Sequence, residues 1–528
     1  MLGTRQEKPH NLPPLTIPVP RVMDYSEVQD TFCYLAVDNE HDRAVAMEDI
    51  SHGLLEQALV DIHSVKSFLG TILRLANRTP YTDVSIKMKE LLGKLEVLGL
   101  DLPVVRYKKG PSFYIPSDTV PTLDDINVEA YPVFVEAFLN DCRVSHMVQV
   151  MGFHPKYLKW WVQTHHFLLR GPSLLPQHER AYIGIMAASR HHCVYTVNLL
   201  EREFRCFGGD PQWLQGVKHI PQKLRNLINV NNILCHRPWQ LTSKDIKALL
   251  TGADSWSKSE LTQALVLACH FHSLSTFVLG CGLTQEIDSS AGHTYGTSPS
   301  DMEEAMLLTP DDTQHRYMFE DIFSRLIKPQ DMHHTSSDDN TQIFENLQSE
   351  QRSVQAGETI AVKNASNAVA HYIENPGFKH EVPKGPQLKS HDFDWDEAVY
   401  PCTRDHYNTE IADILDEKFK AIKTLTYKTM GSKENIDTAP LRNAVWYYVQ
   451  QLEGIYYDDF NYATVETHLT PPFRAYIRNA VCCPENISRE SFESMAGFKI
   501  SERVHFCLIM MEARFQAGIS YALRAIRG

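Results

Sequence analysis

The chain has 528 residues, 43% of them hydrophobic, enough to bury more than one core and to predict two or three domains. Its net charge of -14, from 51 basic against 65 acidic side chains, argues against a general binder of nucleic acid or of anionic membrane, since such proteins need clustered positive charge. The 11 cysteines are scattered without CxxC spacing, which fits reduced cytosolic thiols better than a disulfide framework or a zinc site.

In chain order, the opening MLGTRQEKPHNLPPLTIPVPR is polar and proline-rich with no apolar run, so neither a signal peptide nor a membrane span is expected. Residues 1–44 are predicted to be disordered. Apolar positions three and four apart over 45–76 and 82–98 predict a helical N-terminal extension spanning 45–129. A dense helical domain follows over 130–283, and because few stretches alternate with period two, the predicted class is all-α. Within it, Tyr182, Ile185, Met186, Ser189, Cys193, Val197, Leu200 and Phe204 form one stripe of a helix over 180–204, with Gly184, Ala187 and Ala188 admitting a close neighbour. Cys193 is then either a buried structural thiol or, beside Arg190, His191 and His192, a low-pKa nucleophile. Thr242 or Ser243 caps one later helix, and Ser257 with Glu260 makes a capping box before another. On that apolar helix His270 and His272 are two apart and do not face one another, so they read as core or interface histidines; neither metal nor cofactor is expected.

Residues 284–390 are rich in Ser, Asp, Gln, Thr and Asn and predict a mobile linker with one short helix, FEDIFSRLIKP. The last helical domain, 391–528, begins with a helix carrying Ile411, Ile414, Leu415, Phe419 and Ile422. Thr426, Tyr427 and Thr429 end it, Gly431 breaks the periodicity, and Thr438 opens the next helix with Pro440 and Arg442 in its first turns. Hydroxyls, free amides and a guanidinium can converge there on a carboxylate; the alternative is ordinary capping with an arginine paired to a surface acid. Asp458 and Asp459, past that helix, are ill placed for its dipole and form either a solvated turn or a site for a basic partner. Glu502 and His505 share one face of the final helix, whose stripe is Leu508, Met511, Phe515, Ile519, Ala522 and Ile526.

The stretches YIGIMAASRHHCVY, GGDPQWL, CHRPWQLTSKDIKALL, TLTYKTM, DT-x-x-LR and YYDDF together resemble the sestrins, stress-induced regulators of the TOR kinase pathway, over most of 130–283 and 391–528. The resemblance implies two alkylhydroperoxidase-like helical domains joined by a long, largely disordered linker and packed about a pseudo-twofold. It implies a leucine pocket in which Thr426, Tyr427, Thr429 and Thr438 form a latch, Arg442 clamps the carboxylate and Glu502 takes the ammonium. His154, in GFHP, adds a contact and His505 is a further candidate; the family's tryptophan lid falls at Met495. Asp458 and Asp459 match a pair implicated in binding the GATOR complex. Cys193 and Tyr195 match a proposed peroxidase site, but the histidine of that site is Leu200 here and no resolving CxxC is present. The implied function is a cytoplasmic, and secondarily nuclear, leucine sensor that restrains TOR signalling through GATOR until leucine releases it. The alternative is a cysteine-dependent alkyl hydroperoxide reductase.

Overall fold

The computed structural model describes residues 31–102, 110–289, 322–326, 337–350 and 360–528. The class is all-α: the structure is 67% helical, and the described residues hold no strand longer than two residues.

Helix α1 (Glu40–Val60) opens where the Asn39 side chain accepts the Asp42 amide. Of the segment expected to be disordered, residues 1–30 lie outside the described residues. Residues 31–44 are ordered, with Phe32 and Leu35 fully buried, because these two apolar side chains dock on the helices that follow. Those are α2 (Lys66–Asn77) and α3 (Thr82–Val97), which pack on one another. Arg74 of α2 fastens the extension to the body through Asp288 (Nε 3.0 Å) and the Cys142 carbonyl (2.9 Å), and Arg143 and Arg202 meet the same buried carboxylate. Burial alone would raise the Asp288 pKa, but Arg143 and Arg74 hold it below the usual range. The start of the polar segment after 283 is thus built into the first helical region; residues 290–321, 327–336 and 351–359 of that segment lie outside the described residues, the short helix expected in it is seen at 322–326, and two helices not expected, Ser337–Ser349 and Ile360–Val369, join it, the former burying Phe344 and Leu347.

After α4 (Pro155–Arg170), the single helix expected over 180–204 is two: α5 (Gln177–Ser189) and α6 (Val194–Cys206). His192 takes a left-handed φ of 52°, and the His191 and Cys193 amides both return to the Ala188 carbonyl at 3.1 and 3.2 Å, which terminates α5. Gly184 of α5 is required by contact: a Cβ there would lie 2.7 Å from the Phe271 ring. Next come α7 (Ile228–His236) and α8 (Lys258–Gly280), the latter opened by the Ser257–Glu260 capping box. By length and composition α8 could cross a membrane, yet 94% of its apolar window is buried inside the protein. It packs on α5 and on the final helix.

In the last region, strand β1 (Leu388–Lys389) precedes α9 (Thr409–Thr424). A hairpin of β2 (Thr429–Met430) and β3 (Lys433–Glu434) leads into α10 (Ala439–Leu452), and β4 (Ile455–Tyr456) pairs in parallel with β1. The terminal helix α11 (Ile500–Arg527) lies against α8, α9 and α10, and the buried apolar side chains form one continuous cluster from Phe32 to Ile526.

Candidate functional site

The site lies where the hairpin, the start of α10 and the start of α11 meet the turn before α4. Helix α9 ends at Thr424, so Thr426 and Tyr427 belong to a connecting loop and Thr429 to β2, rather than to the last turn of the helix. Lys428 and Gly431 both take positive φ, 53° and 57°, which folds the hairpin tightly back. Thr438 stands at the N-cap of α10, but its hydroxyl does not cap: Asp437 accepts the Ala439 amide at 2.9 Å instead. The Thr438 hydroxyl accepts from Arg442 Nε at 3.3 Å and lies 3.5 Å from the Thr426 hydroxyl.

Arg442 is 8% exposed and donates through Nη1 to the Lys423 carbonyl at 2.7 Å. Burial pulls its pKa down, with Asp437 opposing. Among the described residues no carboxylate forms a salt bridge with it. Glu502, in the first turn of α11, accepts from the Lys499 amide (2.9 Å), the Gly431 amide (2.8 Å) and the Thr429 hydroxyl (3.1 Å). These donors are neutral, so its charge also meets no cation among the described residues. The positive end of the α11 dipole favours the carboxylate there.

His154 joins this region to the first half of the chain. Its Nε2 donates to the Ser501 carbonyl at 2.7 Å, which leaves Nδ1 to accept the Tyr427 hydroxyl at 2.9 Å. Burial holds its pKa down to about 4, so the ring is neutral. His505 packs beside it with ring centroids 5.0 Å apart, and burial, then His154 and Arg442, keep its pKa well below the ordinary value. Its Nε2 is buried without a hydrogen-bond partner. The structure therefore gathers Thr426, Tyr427, Thr429, Thr438, Arg442, Glu502, His154 and His505 into one neighbourhood that presents a cation, an anion and neutral hydrogen-bonding groups. Two contributors had no side-chain signature in the sequence, the Gly431 amide and the Lys423 carbonyl; the glycine between two polar stretches signalled only a turn.

Met495 is fully buried, in a turn that Arg503 fastens through the Ala496 and Phe498 carbonyls and Glu493. That places it beside the start of α11 but with no hydrogen bond to the other candidates. Asp458 and Asp459 follow β4 on an exposed turn, and Asp458 accepts from His391 Nδ1 at 2.6 Å.

Cys193 and Tyr195 lie elsewhere. The Cys193 thiol is completely buried, sits 3.2 Å from the Thr196 hydroxyl, and has its pKa raised by burial, so the low-pKa nucleophile read beside Arg190, His191 and His192 does not form. The Tyr195 hydroxyl donates to Glu286 at 2.6 Å. Leu200 faces a cavity of about 50 Å³ lined also by Asp141, Arg143, His165, Arg170 and Glu203; Cys193 is not part of that lining.

The family model described as PA26 p53-induced protein (sestrin) matches residues 110–528. Sestrin-1 of Xenopus laevis is 36% identical over 443 residues, covering 79% of this chain and 91% of the relative. Sestrin-2 of Homo sapiens is 36% identical over 441 residues (80% and 91%), and Sestrin-3 of Mus musculus 33% over 472 residues (83% and 95%).

Proposed function

The chain belongs to the sestrin family, and from that membership we propose that it is an intracellular leucine sensor whose ligand-free form binds the GATOR complex and restrains TOR signalling until leucine releases it. The observation that carries the ligand reading is that Arg442 and Glu502, opposite charges in one neighbourhood, hydrogen bond to neutral partners, and among the described residues neither forms a salt bridge. A zwitterionic amino acid desolvated in a pocket needs both of its charges met, and each charge-assisted hydrogen bond contributes about 1.5–3 kcal/mol. Arg442 takes the carboxylate with the Thr426 and Thr438 hydroxyls, and Glu502 takes the ammonium.

The same residues hold structure together in the absence of ligand. Glu502 secures the hairpin through Gly431 and Thr429, and Arg442 secures the end of α9 through Lys423. A ligand that competes for these groups shifts the hairpin and α10, and α10 leads through β4 to the exposed Asp458 and Asp459. Partner binding at that turn then depends on ligand through the differential affinity of each for the two arrangements.

A thermal-shift screen of the full chain against the proteinogenic amino acids tests the reading. Leucine at a hundred times its dissociation constant adds about 2.7 kcal/mol of stability. Stabilisation by leucine above that by glycine, alanine and lysine is the expected result; a flat response to every amino acid overturns it.

A further inference from the structure

Away from the amino-acid site, three chemistry-bearing side chains from separate elements converge in the core: His191 in the link between α5 and α6, Cys235 near the end of α7, and His272 in the middle of α8. All three are buried, and one ligand atom from each lies within 4.8 Å of the others. His191 Nε2 is 3.1 Å from His272 Nδ1 and 3.3 Å from Cys235 Sγ, and Arg514 Nη2 of α11 approaches the same nitrogen at 3.4 Å. A neutral ring nitrogen offers one proton or one lone pair and satisfies one such neighbour. The crowding thus exceeds what hydrogen bonding to that atom can absorb. His236 Nε2 stands 3.4 Å from the Cys235 sulfur, and its Nδ1 is buried without a partner.

We propose that His191, Cys235 and His272 form a binding site for a thiophilic d10 cation, copper(I) or zinc(II), with His236 as a fourth ligand. Metal bonds of about 2.0–2.3 Å at tetrahedral angles separate ligand atoms by roughly 3.3–3.6 Å, and the distances around Cys235 and His191 fall within a few tenths of an ångström of that range. One thiolate with imidazoles is a donor set that soft and borderline cations select. The Nε2 of His272 is buried without a hydrogen-bond partner, so no competing bond pins the ring. An entry route exists, since His236 also lines a cleft of about 640 Å³ with Arg190, His192 and His380. Two guanidiniums face the cluster. Arg514 is anchored on the Cys235 carbonyl at 3.0 Å with Glu453 3.9 Å away, and Arg190 is anchored on the Asn375 and Phe378 carbonyls. Their fixed positive charge makes the thiolate indispensable and ranks the monocation ahead of the dication, because copper(I) with one thiolate adds no net charge.

Such an ion ties α7, α8 and the α5–α6 link together beside α11, at the junction of the two helical regions. The test uses the full chain carrying Cys33→Ser, which removes an exposed thiol. The chain is titrated with copper(I) against a bicinchoninate competitor and, separately, with zinc(II) against a chromogenic chelator. The expected result is about one ion per chain, lost in Cys235→Ser and in His272→Gln, with melting raised by the ion in the parent only. Tighter retention of copper(I) supports the charge argument. X-ray absorption of the loaded parent protein gives the ligand set without any variant, and one sulfur with two or three nitrogens is expected. No binding beyond that of the Cys235→Ser chain, or a spectrum without sulfur, overturns the proposal.

Discussion

His154 and Tyr427 are 273 residues apart in sequence, yet the imidazole Nδ1 accepts the tyrosine hydroxyl at 2.9 Å while its Nε2 holds Ser501, the residue before Glu502. One neutral ring thus ties the first helical region both to the loop leading into the hairpin and to the start of α11. Replacing His154 by Phe keeps the ring volume and removes both bonds. Each is worth about 0.5–1.5 kcal/mol, so the variant is expected to weaken leucine binding by up to about tenfold per bond and to leave the fold intact. Tyr427→Phe, which loses one of the two bonds, is expected to fall between it and the wild type in calorimetry.

Glu502 serves two purposes that a conservative change separates. Glu502→Gln retains an acceptor for the hairpin and for the Lys499 amide but loses the charge. Melting is expected to change by less than about 1 kcal/mol, whereas leucine-dependent stabilisation falls by about 1.5–3 kcal/mol. Equal leucine shifts in the parent and Glu502→Gln would remove the ammonium role.

The thiol chemistry has a simple expectation. Cys33 is exposed and Cys193 fully buried, so alkylation under native conditions should label Cys33 and spare Cys193 until the chain unfolds. Alkyl hydroperoxide turnover should stay at background and be unchanged by Cys193→Ser. Turnover that disappears in that variant would reinstate the peroxidase.

Stability should fall in mild acid. Burial holds His154, His165 and His380 to about 4 and His191, His236, His270, His272 and His505 well below 6.5. Between pH 6.5 and about 4 the unfolded chain binds protons that the folded one refuses, so this contribution is complete above 6.5 and lost as pH falls. Glu453 and Glu485, raised by burial from 4.5 to about 7, act in the opposite direction, losing stability as pH rises through 7. Eight histidines outweigh two glutamates, and the melting temperature is expected to drop steadily from pH 6.5 to 4. A flat or rising profile would show that these rings are not buried in solution.

Much of this was legible in the sequence. The all-α class followed from helical spacing, and the residues proposed to receive the amino acid were named from the family motifs alone. Other features depend on tertiary contact. The chain breaks at His192 although nothing in a His-His pair announces a left-handed residue. Thr438 looked like a cap because its residue type is a good one, but Asp437, two residues before Ala439, accepts the orphan amide and leaves the hydroxyl to Arg442. His272 was set aside because its neighbour on the helix, His270, points elsewhere; the groups that meet it come from α7 and the α5–α6 link. Phe32 and Leu35 lie in a segment too poor in apolar residues to form a core, and they instead complete one made by others.

Isothermal titration of the full chain with L-leucine shows whether Arg442 and Glu502 together receive an amino-acid zwitterion. Saturable heat with about one site per chain is predicted, abolished in Arg442→Ala and weakened at least about tenfold in Glu502→Gln while both variants keep their helical circular dichroism. Absence of heat in the wild-type protein, or undiminished binding in Arg442→Ala, would mean that these two side chains do not form an amino-acid site.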